Sequence, residues 1–190
     1  ALTATEGEKS PMSDAFRPFY AAILDRTLAS KDGLVETTAA EFLTRILAGC
    51  EAKPTETRSP GSDGIGELAY DWEGIVYSSN EGRVVGESGD EIFALGNVTR
   101  DGYHDLMTHP TIRALVLASV GDGQPGYSSW VYKPFCGPRP SRNYIDQGSV
   151  QGRAADSSNF LNNQAILDAL FARLGSDTPE SAALQTWTLA

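Results

Sequence analysis

The residues able to do chemistry are few and scattered. His104 and His109 stand five apart, a spacing that does not bring both to one face of a regular helix. No nearby cysteine completes a ligand set, so surface or hydrogen-bonding roles are the plainer reading. Cys50 and Cys136 are the two cysteines of the chain. Two thiols are too few for a four-thiolate metal site or a disulfide framework. A Cys50–Cys136 bridge is open on sequence grounds, although nothing local favours it. Ser128 and Ser129 lack the G-x-S-x-G elbow of a hydrolase nucleophile. Gly61 to Gly66 is glycine-rich but does not match the strand–loop–helix setting of a phosphate loop, and no dinucleotide fingerprint occurs. Asn97-Val98-Thr99 matches a glycosylation sequon, which carries meaning only in a secreted chain. Carboxylates are plentiful, and no pair stands out as acid and base. The expectation is no catalytic residue, no metal and no cofactor.

One segment is unusual: Tyr127-Ser128-Ser129-Trp130-Val131-Tyr132-Lys133-Pro134-Phe135-Cys136-Gly137. It holds four aromatic residues and one cysteine in a Pro- and Gly-rich setting. Such a run either pins a loop onto the core by its rings or is a former ligand loop.

The elements around it can be read from periodicity. Residues 1–13 read as a flexible arm. Phe16, Phe19, Tyr20, Ile23, Leu24 and Leu28 recur at helical spacing, and Gly33 provides a stop. Thr38-Ala39-Ala40-Glu41 reads as a capping box for a second helix bearing Phe42, Leu43, Ile46 and Leu47, ended by Gly49. Residues 51–66 read as a Pro-, Gly- and Ser-rich linker. Residues 66–70, the turn Asp71-Trp72-Glu73-Gly74 and then Ile75-Val76-Tyr77 form a predicted β-hairpin. Residues 80–102 carry several glycines and one short strand at 92–95. Tyr103–Met107 reads as a helical turn. Pro110 suits the first turn of a helix through Ile112, Leu115, Val116 and Val120. Residues 127–156 read as irregular. A closing helix begins near Ser157 or Ser158, carries Phe160, Leu161, Ile166, Leu167, Leu170, Phe171 and Leu174, and is capped by Gly175. Residues 176–190 read as a mobile tail. No internal repeat is found.

The chain has 190 residues, of which 41% are hydrophobic, enough for a buried core. Fifteen Lys and Arg against 25 Asp and Glu give a net charge of −10, and the pI is near 4.6. That balance argues against nucleic acid and anionic membrane surfaces as partners, and it tolerates a basic peptide. No apolar run approaches the ~20 residues of a membrane span. The opening ALTATEGEKSPMSD is polar and unlike a signal peptide. It begins with Ala1 rather than Met, as a processed product or a fragment would. Sparse cysteine usage points to a reducing, cytoplasmic compartment.

The aromatic run resembles the SPASM domain of radical-SAM peptide maturases, especially those of His-Xaa-Ser-type peptide systems. Those domains read C-x-x-C-x-(Y/F)-x-P-(Y/F)-C-G where this chain reads Y-S-S-W-V-Y-K-P-F-C-G. Tyr132, Pro134, Phe135, Cys136 and Gly137 match the frame. Upstream, Tyr70-Asp71-Trp72-Glu73-Gly74-Ile75-Val76-Tyr77 resembles the family's Y-(D/N)-x-(D/E)-G-x-V-Y hairpin. Ser78-Ser79-Asn80-Glu81-Gly82-Arg83 and the set Gly89-Asp90, Phe93, Leu95-Gly96-Asn97-Val98 resemble the stretches that follow it. Downstream, Asn143-Tyr144, Gln147-Gly148 and Gly152-Arg153 fit. The likeness runs over roughly residues 14–175, with 14–50 resembling the end of the radical-SAM barrel.

The departures from that family bear on function. SPASM cysteines bind iron–sulfur clusters as thiolates. Here Cys136 is the one residual ligand position, and the lost positions hold Tyr127, Trp130 and Leu161, none of them a soft ligand. The barrel's C-x-x-x-C-x-x-C triad is absent, so the resemblance implies no S-adenosylmethionine cleavage by this chain alone. Tyr127, Trp130 and Leu161 are expected to fill the vacated volume as an apolar plug, with Trp130→Ala costing about 3–5 kcal/mol.

The expected fold is α+β: two opening helices, a β-hairpin, Gly/Pro-rich loops and a closing helix. Its expected divisions are an arm (1–13), a helical lead-in (14–50), a linker (51–66), a degenerate SPASM-like domain (67–175) and a tail (176–190). The expected function is a cluster-free binding module for a peptide or a radical-SAM partner, non-catalytic by itself. Tyr70, Trp72, Tyr77, Tyr127, Trp130, Tyr132 and Phe135 are the candidate contact residues. The hairpin offers an edge for an extended peptide. Two alternatives remain: the C-terminal part of a radical-SAM peptide-modifying enzyme, and a structural subunit of a larger assembly, which a surface without exposed aromatics would favour. An unrelated hydrolase ranks last.

Overall fold

The computed structural model describes residues 11–30, 32–49 and 61–188. Cys50, most of the expected arm and most of the expected linker lie outside the described residues. In chain order the elements are α1 (Pro11–Ala29), α2 (Thr37–Leu43) continued by a π turn at Thr44–Ala48, β1 (Ala69–Tyr70), β2 (Ile75–Tyr77), α3 (Asn80–Glu87), β3 (Ala94–Asn97), α4 (Tyr103–Met107), α5 (Pro110–Ala118), α6 (Pro140–Gln147), α7 (Ser158–Leu174) and α8 (Pro179–Gln185). The fold is α+β.

Two compact units divide the chain: Ala1–Thr55 with Ser158–Ala190, and Glu56–Ser157. The expected domain 67–175 joined the closing helix to the hairpin. The closing helix α7 instead packs on α1, α2 and α8, because both sides offer apolar residues at helical spacing. Tyr20 and Leu24 of α1 and Ile166, Leu167 and Leu170 of α7 are buried. The expected tail is folded as well. Thr178 caps α8 by accepting from the Ser181 N–H, and Leu184 and Trp187 are buried.

In this helical unit α2 starts differently from the expected capping box. Glu36 is the N-cap, and its carboxylate accepts from the Thr38 and Ala39 N–H groups at 3.0 and 2.7 Å. The Tyr20 hydroxyl donates to the same carboxylate at 2.6 Å, tying α1 to the start of α2. Gly49 closes the π turn at φ +64°, where a Cβ would be strained. Arg17–Asp168 and Arg173–Asp25 pairs, both 2.5 Å, bridge α1 and α7 at the surface.

The second unit is built on a three-stranded antiparallel sheet in the order β1-β2-β3. Ala69 pairs with Tyr77 and Tyr70 with Val76. The hairpin is as expected, and its turn has a clear cause. The Asp71 carboxylate accepts from the Glu73 and Ile75 N–H groups at 2.9 and 2.8 Å, and Gly74 supplies φ +80°. Cross-strand partners share a face. Val76 packs with Leu95, Leu106 and Ile112, joined by Leu68, Met107 and Val116. Tyr77 packs on the other face with Phe93 and Leu115, joined by Val85 of α3 and Tyr144 of α6.

Three departures from expectation occur here. Residues 80–87 form α3, capped by Ser79, whose hydroxyl oxygen accepts from the Gly82 N–H. Gly82 and Gly86 are four apart and face the sheet. A Cβ on them would lie 2.8 Å from Phe93 and 2.4 Å from the Tyr77 ring. The glycines that suggested loop are a packing surface. The strand expected at 92–95 begins later, because Asp90 caps a 3-10 turn over Glu91–Phe93. Residues 127–156 are not wholly irregular: α6 starts at Pro140 and ends at Gly148, φ +70°. Residues 61–66, expected as linker, belong to this unit, and 61–64 are buried.

Candidate functional site

The β1 edge of the sheet borders an open cleft of about 300 Å³ lined by residues 64–68, Tyr70, Tyr103 and Met107. Each wall has a local cause. The Asp71 N–H donates to the Ile75 carbonyl at 3.1 Å, so 71 and 75 form a hydrogen-bonded pair. Antiparallel pairs alternate, and the N–H and C=O of Tyr70 therefore point away from β2, toward the free edge. Tyr70 and Leu68, which stands just before β1, share the face of Val76. That face meets Tyr103 and Met107 of α4. Asp105 holds the start of α4 by accepting from the Gly102 N–H at 3.2 Å.

The wall at 64–68 hangs on a buried polar latch that sequence reasoning missed. The Ser62 carbonyl accepts from the N–H groups of Ile65, Gly66 and Glu67, and the Gly64 N–H donates to the Ser78 carbonyl at 2.6 Å. Asp63 is 2% exposed. Its Oδ2 accepts from the Ser141 N–H at 2.9 Å and the Ser141 hydroxyl at 2.6 Å. The Ser79 hydroxyl donates in turn to Ser141 Oγ at 3.0 Å. Buried Arg139 lies 3.1 Å from Glu81 and 3.7 Å from Glu67. One polar group, Asp63 with Ser141 and Arg139, therefore ties together the cleft wall, the α3 start and the α6 start. The signal in the sequence was faint: an Asp between glycines (Gly61-Ser62-Asp63-Gly64) and an Arg between prolines (Pro138-Arg139-Pro140).

The candidate contact residues separate by exposure. Tyr70 is 54% and Trp72 91% exposed, and both sit on the hairpin. Tyr103, which the sequence reading did not single out, is 73% exposed beside Tyr70 in the cleft lining. Tyr77 and Tyr127 are 4% and 1% exposed and are core side chains rather than contact residues. Trp130, Tyr132 and Phe135 are half-buried. The structure thus brings Tyr70 into the cleft with Tyr103 and holds the 127–135 rings in a separate folded segment.

That segment is a chain of turns pinned by Tyr127. The N–H groups of Tyr127, Trp130, Lys133 and Phe135 each donate to the carbonyl three residues back. The Tyr127 hydroxyl donates toward the carbonyls of Cys136 and Lys133. Trp130 lies with its ring centroid 5.9 Å from those of both Tyr127 and Tyr132, and Lys133 pairs with Asp122. Gly121 makes room: a Cβ there would sit 2.0 Å from the Tyr127 ring. Cys136 is buried. The three positions expected to form one plug are split between the units: Tyr127 and Trp130 lie in one, half-buried Leu161 in the other.

Other candidate groups have structural partners. His109 caps α5, its Nδ1 accepting from the Thr111 N–H at 3.2 Å, and His104 is exposed on α4. The Asn97 side chain accepts from the Thr99 N–H and hydroxyl and donates to the Glu73 carbonyl. Among the described residues, no three His, Cys, Asp or Glu side chains gather as a metal site, and no helix is long and apolar enough to cross a membrane. The phenols of Tyr20, Tyr77 and Tyr144 are held above their ordinary pKa. Burial, then the Glu36 hydrogen bond, raises Tyr20. Burial, then the Asp71 charge, raises Tyr77. The Asp90 hydrogen bond, at 2.5 Å, raises Tyr144 first, with burial second.

No family model, curated protein or solved structure matches this chain.

Proposed function

We propose that this chain is a non-catalytic binding module that takes up an extended peptide segment along β1, with side chains of that segment entering the adjoining cleft. One observation carries the reading: Tyr70 directs its N–H and C=O to the open edge while its ring, with Tyr103, lines the cleft beside it. Strand addition supplies main-chain hydrogen bonds, and pockets for alternate side chains supply selectivity. Because β1 is two residues long, few main-chain bonds are on offer, and aromatic anchors must contribute much of the affinity. Exposed Tyr70, Trp72 and Tyr103 favour this reading over a purely structural subunit. By the resemblance to SPASM domains, the segment would belong to a substrate peptide or a radical-SAM partner.

The test is selection from a random peptide library displayed on phage, followed by amide chemical-shift mapping on the full chain. Selected peptides should shift amides at 65–72 and 103–107. Tyr70→Pro, which removes the outward N–H without breaking the ladder to β2, should abolish binding, and Tyr103→Ala should weaken it about tenfold or more. Shifts clustered at 127–135, or no selected peptide at all, would overturn the proposal.

A further inference from the structure

The electrostatic setting of the same cleft restricts the class of peptide it can take, an inference that rests on the binding reading above. Between Gly61 and Gly82 the chain carries Asp63, Glu67, Asp71, Glu73 and Glu81 and neither a Lys nor an Arg. Asp63 and Glu81 are engaged inside, with Ser141 and Arg139. Glu67 lines the cleft but lies 3.7 Å from the buried Arg139 guanidinium, which neutralises it from inside. Asp71 and Glu73 flank Trp72 at the hairpin tip, Asp71 holding the turn, and Asp105 follows Tyr103 on α4, whereas Asp101 accepts from the Asn97 N–H. The cations nearest in sequence are turned to other work or other places. Arg83 pairs with Glu87 on α3. Arg100 follows β3, at the far edge of the sheet from β1.

We propose that the cleft selects a cationic extended segment: one that seats an aliphatic or aromatic side chain between Tyr70 and Tyr103 and places Lys or Arg on either side of it. The geometry gives each part a reason. Side chains of an added strand alternate, so one residue points into the cleft while its neighbours i ± 2 on the same face reach the two rims. There the exposed carboxylates of Glu73 and Asp105 would meet a lysine or arginine, and the exposed rings of Tyr70, Trp72 and Tyr103 offer faces for cation–π contact. An acidic segment, or a second copy of this chain presenting its own β1, would set carboxylates against carboxylates. The overall charge of −10 acts in the same sense over longer range.

The experiment compares three fluorescein-labelled nine-residue peptides, Ser-Thr-X-Val-Leu-Val-X-Thr-Ser, in which both X positions, two residues either side of the central Leu, are Lys, Ser or Glu. Their binding to the full chain is read by anisotropy at 20 mM and 500 mM salt. The Lys peptide should bind about tenfold or more tighter than the Ser peptide at low salt, and the gap should shrink at high salt. The Glu peptide should not bind. Glu73→Lys, at an exposed turn position, should weaken the Lys peptide roughly 2- to 5-fold and leave the Ser peptide unchanged. Equal binding of the Lys and Ser peptides, both blocked by Tyr70→Pro, would overturn the charge selection while the cleft reading stood. Binding of none of the three would overturn both. Concentration-dependent dimerisation lost in Tyr70→Pro would overturn it in favour of a second copy as the occupant.

Discussion

Asp63 and Ser141, 78 residues apart, meet through two hydrogen bonds to a single carboxylate oxygen, from the Ser141 main-chain N–H at 2.9 Å and its hydroxyl at 2.6 Å. The pair closes the chain between the cleft wall and α6, and the second oxygen, Oδ1, is buried with no hydrogen-bond partner. Removing one partner from such a site leaves buried donors unsatisfied, which costs more than the bond itself contributes. Asp63→Ala should therefore lower stability by about 2–3 kcal/mol and Ser141→Ala by about 1 kcal/mol, with a coupling of about 1 kcal/mol in the double-mutant cycle. Urea unfolding followed by far-UV circular dichroism measures all three. A strictly additive cycle would mean the two residues do not act together.

Gly86 gives a prediction whose sign is decided by packing. On propensity alone, Gly→Ala in the helix α3 should stabilise by up to ~1 kcal/mol. A Cβ at 86, however, would lie 2.4 Å from the Tyr77 ring, which is buried between α3 and the sheet. The ring cannot retreat without disturbing Phe93 and Leu115 beside it. Gly86→Ala should destabilise by about 1–3 kcal/mol, the usual range for an overpacked core. Gly89→Ala, where nothing lies within 4 Å, controls for the loss of a glycine elsewhere, its φ of +90° adding backbone strain alone. A stabilised Gly86→Ala protein would show that the ring moves freely.

The same glycines explain what was legible in the sequence. The hairpin was readable because its turn chemistry is local: Asp71 and Gly74 make the turn with their own neighbours. The helices α1, α5 and α7 were readable because their apolar spacing is regular. What escaped was set by partners distant in sequence. Gly82 and Gly86 signal a loop until Phe93 and Tyr77 are laid on them. The assignment of α7 to the α1 unit depends on which of two apolar faces it meets, and spacing says nothing of that. The same limit applies to the site. Tyr70 and Trp72 stand out on a hairpin, but exposure separates them from Tyr77, and Tyr103 becomes relevant only where α4 meets β1. Asp63 and Arg139 look like loop residues until the fold buries them.

Alkaline pH should loosen both units. The phenols of Tyr20, Tyr77 and Tyr144 are held above the ordinary value of about 10. Above that pH the unfolded chain loses these protons while the folded chain keeps them. The stability they contribute is complete below about pH 10 and declines as pH rises toward the folded values, most steeply for buried Tyr20, where the slope reaches up to ~1.4 kcal/mol per pH unit. Absorbance at 295 nm should show the Tyr20, Tyr77 and Tyr144 phenols of the native protein still protonated where a free phenol ionises, near pH 10. Tyr20→Phe should remove one late phenol and flatten the alkaline slope of unfolding. These phenols ionising near pH 10 in the folded protein would refute the account.

The last prediction ranks two neighbouring rings and so separates a core from a plug. Were Trp130 the filler of a vacated cluster site, truncating it would be the costliest change in the 127–137 segment. The structure reverses that order. Tyr127 is 1% exposed, lies on the bare backbone of Gly121 and donates to the carbonyls that turn the chain back at Lys133 and Cys136. Trp130 is half-buried and rests on Tyr127 from outside. Tyr127→Ala should cost about 3–5 kcal/mol, as full removal of a buried ring does, and Trp130→Ala only about 1–2 kcal/mol, as partial burial allows. Tyr127→Phe isolates the hydroxyl: it keeps the ring and should cost about 1–2 kcal/mol, since two buried carbonyls lose their shared donor. Measured by the same urea titrations, a Trp130→Ala loss larger than that of Tyr127→Ala would restore Trp130 as the anchor of the segment.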